Sequence, residues 1–94
     1  MLVDFYIKSL SFVIEFHGDF WHANPELFGE NDIHRISGMT AKEIWKNDER
    51  REKIARKALN LKKYIVVWER DYVRDKSETV KKLVEEIYEV YKNK

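Results

Sequence analysis

Ninety-four residues, 44% of them hydrophobic and 14% aromatic, make one small globular domain near the lower limit for a core without staples, and exclude a disordered chain. The absence of cysteine excludes a disulfide framework, a thiolate metal site and a cysteine nucleophile; it fits a reducing compartment, and a cytoplasmic location is the expectation. Net charge is only +1 but unevenly spread: residues 1–41 hold six acids against two bases, residues 42–63 nine bases against four acids, and residues 64–94 seven of each. An acidic site beside a basic helix suits a metal-dependent enzyme acting on a polyanion; a solvated helix face rich in Lys and Arg is the plainer reading. No apolar run approaches the ~18 residues of a membrane span, so no membrane partner is expected.

The chain opens directly on strand-like Met1-Leu2-Val3-Asp4, which points to a single domain, residues 1–94, taken from a longer protein. Leu2 to Ile7 and Leu10 to Phe16 read as two strands of a hairpin. With Ser9-Leu10 as the loop, Lys8 faces Ser11, Ile7 faces Phe12 and Asp4 faces Glu15. Like charges placed opposite each other destabilise a sheet, and a cation between the two carboxylates would resolve the conflict. Two acids on a solvated face are the alternative. Val13 to His22 then concentrates the chemistry: alternation puts Glu15 and His17 on one side of the strand, and a turn at Gly18 brings Asp19, Trp21 and His22 close behind. Acidic oxygens at a strand end, with imidazole beside them, suit holding a hard divalent cation and activating a water.

Residues 23–40 show no period and read as a long loop, with a turn at Asn24-Pro25 and breaks at Gly29 and Gly38. His34 and Arg35 lie in it; an exposed His34 without a role is expected. Thr40 with Glu43 forms a capping box, and Ala41 to about Asn60 is a helix free of Gly and Pro. Ala41, Ile44, Trp45, Asp48, Glu52, Ala55, Ala58 and Leu59 share one face; Lys46, Arg50, Lys53, Arg56 and Lys57 share the other. Asp48 within an apolar stripe needs a partner, because an unpaired buried carboxylate costs several kcal/mol. Arg51 on the same helix and the His22 site across the sheet are the two choices.

Tyr64 to Trp68 is a continuous apolar run, the mark of a strand covered on both sides, joined to the Val13–Phe16 strand by a right-handed parallel crossover. Glu69 ends it, reaching the site or marking the exit to solvent. Asp71 to Lys76 reads as a charged loop, and Ser77 as the cap of a last helix whose Val80, Leu83, Val84, Ile87, Val90 and Tyr91 form a packing stripe.

The segment His17-Gly18-Asp19-Phe20-Trp21-His22 resembles the His-Gly-x-Phe-Trp-His segment of the very-short-patch-repair (Vsr) mismatch endonucleases. Asp4-Phe5 lies at the ungapped distance of that family's Asp-Phe, Lys46-Asn47-Asp48-Glu49-Arg50 is similar to its Lys-Asn-x-Glu-Arg helix, and Val66-Val67-Trp68-Glu69 to its Ile-Val-Trp-Glu strand. The match covers about residues 3–70. The added Glu15, Asp19 and Asp48 resemble the EDxHD variant of this fold, found in phage-type homing endonucleases whose catalytic domain is attached to separate DNA-binding segments.

The resemblance implies an α/β, restriction-endonuclease-like/Vsr-like core: a mixed sheet with a long crossover helix and a C-terminal helix. It makes Asp4 a Mg²⁺ ligand and His22 the general base. Phe16 stands where the repair enzymes have a metal-supporting Thr, so that contact is made through a backbone carbonyl or is taken over by Glu15. Arg51 stands where they have the acid that supports the histidine, so Asp48 must replace it. Asp19 occupies a cysteine position of their structural zinc site, which is not expected here. Phe20 and Trp21 match aromatics that those enzymes wedge into the base stack; a place in the core is the alternative.

The expected function is therefore Mg²⁺-dependent hydrolysis of double-stranded DNA by a homing-endonuclease catalytic domain, in a prokaryotic or phage-infected cell. Asp4 and Glu15 hold the metal, His22 oriented by Asp48 takes the water proton, and Asp19 and His17 are second choices as ligand or orienting groups. Trp21, Lys46, Arg50 and Arg51 face DNA. A restriction-type nuclease using Asp4 and Glu15 with His17, a mismatch-specific nicking enzyme, and a non-catalytic DNA-binding domain are the rivals. The DNA-binding segments of the parent chain lie outside these residues, and a homodimer is an open option.

Overall fold

The strand Phe12–His17 (β2) is the axis of the structure, a computed structural model that describes residues 2–94. Its β-branched and aromatic residues suit a pleated surface buried on both faces, and Phe12 and Val13 are fully buried. It pairs antiparallel with Phe5–Ile7 (β1) and parallel with Lys63–Trp68 (β3), giving a three-stranded mixed sheet in the order β1-β2-β3. Three helices complete the chain: Ala41–Leu59 (α1), Glu69–Arg74 (α2) and Lys76–Lys92 (α3).

The hairpin register is the expected one, with Ile7 opposite Phe12 and Phe5 opposite Ile14. Its connection is not the expected two-residue loop. Lys8–Leu10 forms a 3₁₀ turn closed by Ser11 at φ 49°, whose N–H donates to the Lys8 carbonyl at 3.1 Å. That geometry explains why Ser-Leu suffices without an Asn-Gly signal: the positive-φ position falls on Ser11, after the turn. Leu2 and Val3 are not strand, and Asp4 sits in a bend, so β1 is three residues long. Met1 lies outside the described residues.

α1 begins where its cap predicts. The Thr40 hydroxyl accepts from Glu43 N–H at 3.2 Å and the Glu43 carboxylate accepts from Thr40 N–H at 3.2 Å, a box worth about 1 kcal/mol. Asn60, left-handed at φ 51°, ends the helix. Ala41, Ile44 and Ala55 are buried, and Trp45, Asp48, Glu52 and Leu59 half-buried; Ala58, placed at the stripe's margin, is exposed. Val13, Ala55 and Tyr64 form one core cluster between sheet and helix, and Ala23, Ala41 and Ile44 a second that ties the long loop to the start of α1. The parallel β2–β3 pairing matches the expected crossover.

Three expectations for the C-terminal third need correction. Residues 69–74 are helical, so the charged segment is not a loop; Arg74 pairs with Asp71 at 2.9 Å, one turn apart. Asp75, not Ser77, caps α3, its carboxylate accepting from Glu78 N–H at 3.0 Å. β3 is an edge strand in which only Tyr64 is buried and the other five residues are half-buried, so it is not covered on both sides. Among the described residues no helix is long and apolar enough to cross a membrane.

Candidate active site

Glu15 and His17 point from β2 to the side of the sheet that α1 covers, and both are buried, at 4% and 6% exposure. The hairpin register continued by one residue puts Asp4 beside Glu15. The Asp4 carboxylate accepts from Phe16 N–H at 2.7 Å, standing in for the ladder bond that the bend at Asp4 forgoes. It also lies within hydrogen-bond reach of the Glu15 carboxyl. Burial, then this contact and the charge of Asp4, raise the pKa of Glu15 above its ordinary range; Arg51 pulls the other way. Two carboxylates set side by side are a donor set which a hard divalent cation can occupy.

One pleat further along β2, the His17 ring lies flat on the His22 ring, centroids 3.8 Å apart and planes within 4°. His22 Nδ1 lies 2.9 Å from Asp48 Oδ2. Asp48 thus takes the partner across the sheet, and Arg51 is not its counter-ion. Trp68, the last residue of β3, sets its ring edge against His17 at 5.1 Å. His17 Nδ1 is buried without a hydrogen-bond partner. Burial and the neighbouring His22 lower the His17 pKa, while Asp48 and Asp4 raise it less, so His17 is neutral at physiological pH. His17, His22 and Asp48 have donor atoms within 4.8 Å of one another, a spacing from which a metal can be held. However, the in-plane lone pairs of parallel stacked rings run side by side and do not converge, so the stack as it stands is not a chelate. The hard-oxygen pair Asp4 and Glu15 is the better match to Mg²⁺.

Arg51 departs from its expected place among the DNA contacts. Its Nη2 donates to the Leu2 carbonyl at 2.6 Å and lies 3.4 Å from Glu15 Oε1, so the guanidinium faces the carboxylate pair. A long side chain on the margin of the helix can reach either way, and its position in sequence gives no signal of which. Tyr64, 7% exposed, completes the floor of the site. Burial, and secondarily the charge of Glu15, push its phenol up to about 12 from 10.0. The folded state therefore holds this proton more tightly than the unfolded chain. Its stabilisation is complete below pH ~10 and is lost as pH rises toward ~12, a loss of roughly 2–3 kcal/mol. In an absorbance titration at alkaline pH, one tyrosine is expected to ionise late and together with unfolding, and Tyr64→Phe should remove that late step.

A cleft of about 270 Å³ opens beside these groups, lined among others by His17, Trp45, Asp48, Glu52, Tyr64 and Trp68. Asp19 is occupied elsewhere. Its Oδ1 accepts from Asn24 Nδ2 at 2.8 Å and from Arg70 N–H at 3.3 Å, and its own N–H donates to Glu69 Oε1 at 3.1 Å. Asp19 and Glu69 thus lock the Gly18 turn to the start of α2, and neither joins the His17–His22–Asp48 group. Trp45 Nε1 donates to the Ala23 carbonyl at 2.7 Å, which anchors the same turn to α1.

On the outer side, Lys46 and Arg50 are exposed and make no ion pair among the described residues, whereas Lys53 and Arg56 pair with Glu49 and Glu52. Trp21 is 59% exposed and packs near Phe20 and His34. His34 is not exposed as expected: it is 6% accessible, and its Nδ1 accepts from the N–H groups of Ile36 and Ser37 at 3.2 and 3.0 Å. It is the post around which residues 34–38 turn. Comparison with protein-family models, with characterised proteins and with solved structures finds no match to this chain.

Proposed function

We propose that this chain is the catalytic domain of a Mg²⁺-dependent endonuclease that hydrolyses phosphodiester bonds of double-stranded DNA, of the homing-endonuclease type with a Vsr-like core. The observation that carries the reading is the joining of two functions on one face of β2: a carboxylate pair, Asp4 with Glu15, beside an imidazole–carboxylate pair, His22 with Asp48. A hairpin register that separated Asp4 from Glu15 would have favoured a purely binding domain, and the observed register does not separate them.

Asp4 and Glu15 would hold Mg²⁺, which when bound polarises the scissile phosphoryl group and stabilises the leaving oxygen. Asp48 accepts the Nδ1 proton of His22, which leaves the Nε2 lone pair to take a proton from water. His17 stacks on the face of that imidazole and restricts its rotation. Arg51 partly neutralises Glu15. Lys46 and Arg50 would contact phosphates, giving affinity without sequence information, and exposed Trp21 would stack or pack against the duplex. The absence of cysteine and the Phe16 position weigh against mismatch repair. On this reading the chain works at DNA in the cytoplasm of a prokaryotic or phage-infected cell.

The test is nicking of supercoiled plasmid by the chain with Mg²⁺ and with chelator. Relaxed circles are expected only with the metal. No cleavage, or cleavage indifferent to chelation, would overturn the proposal.

A further inference from the structure

Arg51 is the one base paired with either member of the Asp4–Glu15 set among the described residues, and it is held loosely. Its side chain is 47% exposed, whereas that of Glu15 is 5% exposed. Both bonds it makes come from a single nitrogen: Nη2 donates to the Leu2 carbonyl at 2.6 Å and reaches Glu15 Oε1 only at 3.4 Å. The Tyr64 phenol also lies beside the guanidinium, but Nε and Nη1 make no bond of hydrogen-bond geometry to a described residue. A guanidinium committed to a carboxylate engages it with two parallel N–H groups at about 2.7–2.9 Å. Arg51 does not, and most of its N–H donors stay open at the rim of the site.

Glu15 cannot serve a guanidinium and a divalent cation at once without setting two positive groups side by side. Their repulsion is relieved only when an anion lies between them. In the reaction proposed above that anion is the phosphodiester group, which has one oxygen for the cation and another for the planar fork of an arginine. Lys46 and Arg50 are exposed on the outer side of α1 and pair with neither carboxylate. Arg51 alone combines an open donor fork with a place beside the carboxylate pair.

We propose that Arg51 couples cation binding to substrate binding: in the free chain its guanidinium competes with a divalent cation for Glu15, and in the complex it leaves Glu15 for the scissile phosphate. The inference rests on the nuclease reading and gives Arg51 a direct contact with the reacting group, distinct from the flanking phosphates left to Lys46 and Arg50. Linkage is reciprocal, so a cation tightens DNA binding through Arg51 by the same factor by which DNA tightens cation binding. An Arg51 that merely balances the charge of Glu15 predicts no such coupling.

Mn²⁺, a paramagnetic substitute for Mg²⁺ on oxygen donors, reports binding to the chain alone by electron paramagnetic resonance. Arg51→Ala is expected to bind it at least about fivefold more tightly than the native chain, and Arg51→Lys, which keeps the charge, about as the native chain does. The second arm is anisotropy of a labelled DNA duplex in the His22→Ala background, where cleavage is slow. Mn²⁺ is expected to tighten duplex binding about fivefold or more with Arg51 present, and most of that gain should vanish in Arg51→Ala. Nicking of plasmid with Mg²⁺ should fall about 10²-fold in Arg51→Ala and less in Arg51→Lys, whose ammonium supplies the charge without the fork. Arg51 is half exposed within α1, so both variants should keep the native helical circular dichroism. A native chain that binds Mn²⁺ and nicks, while Arg51→Ala binds the cation no more tightly or nicks equally well, overturns this inference and leaves the nuclease reading standing. A native chain that neither binds Mn²⁺ nor nicks overturns both.

Discussion

Replacing His22 with alanine is expected to lower Mg²⁺-dependent plasmid nicking by about 10²–10⁴-fold, the usual contribution of a positioned acid–base group. The fold should be unaffected. His22 is about one-third exposed at its side chain, and its main packing partner is the His17 ring. The companion variant Asp48→Asn is more telling. With a carboxylate at 2.9 Å, Nδ1 must carry the proton and Nε2 is left free. An amide can instead donate to Nδ1, which moves the ring proton to Nε2 and blocks the base. Asp48→Asn should therefore be at least as damaging as Asp48→Ala, which leaves the tautomer unconstrained. If Asp48 acted only through its charge, the two substitutions would cost the same. Full activity in His22→Ala would remove His22 from the reaction and, with it, the proposed mechanism.

That pairing was within reach of the sequence for a physical reason. Period-2 alternation along β2 and a hairpin sum fixed by Ile7 opposite Phe12 leave Asp4 nowhere to go but beside Glu15. Asp48 in an apolar helical stripe had to find a buried partner, and few were available. The capping box at Thr40 set the start of α1 by hydrogen-bond chemistry alone. Where local chemistry is ambiguous, the sequence alone does not decide. Arg51 can extend toward solvent or toward Glu15, and the outcome rests on a carbonyl at Leu2, forty-nine residues away. The 69–75 segment has no apolar period, because α2 is held by Asp71–Arg74, by Asp19 at its first turn and by one aromatic contact, Tyr72 on Phe16, too few apolar positions to set a period. The α3 stripe was legible as amphipathic, yet periodicity does not say whether a stripe meets its own sheet or a different molecule.

The carboxylate pair yields the second large effect, and it runs against the usual cost of mutating a buried residue. In metal-free buffer near pH 7, Glu15→Gln is expected to stabilise the fold by on the order of 1 kcal/mol, raising the melting temperature by about 4–8 °C. The sign follows from the raised pKa of Glu15. A carboxyl whose folded pKa lies above its unfolded value contributes its full stability below the ordinary value of 4.5, and loses it as pH rises through the folded value. At neutral pH the ionised form is thus buried against Asp4 at a cost. The isosteric amide removes that charge and can donate to Asp4. What it forfeits, a 3.4 Å contact to a guanidinium that is 47% exposed, is worth little. The advantage of the variant should shrink as pH falls toward 4.5, where the native carboxyl is itself protonated. Added Mg²⁺ should reverse the order, raising the melting temperature of the native chain and not that of Glu15→Gln, while nicking is lost in the variant. A Glu15→Gln chain less stable than the native one at neutral pH would mean that Arg51 already satisfies Glu15. Glu15 and Arg51 would then form a structural salt bridge, with no unmet charge left for a cation to relieve.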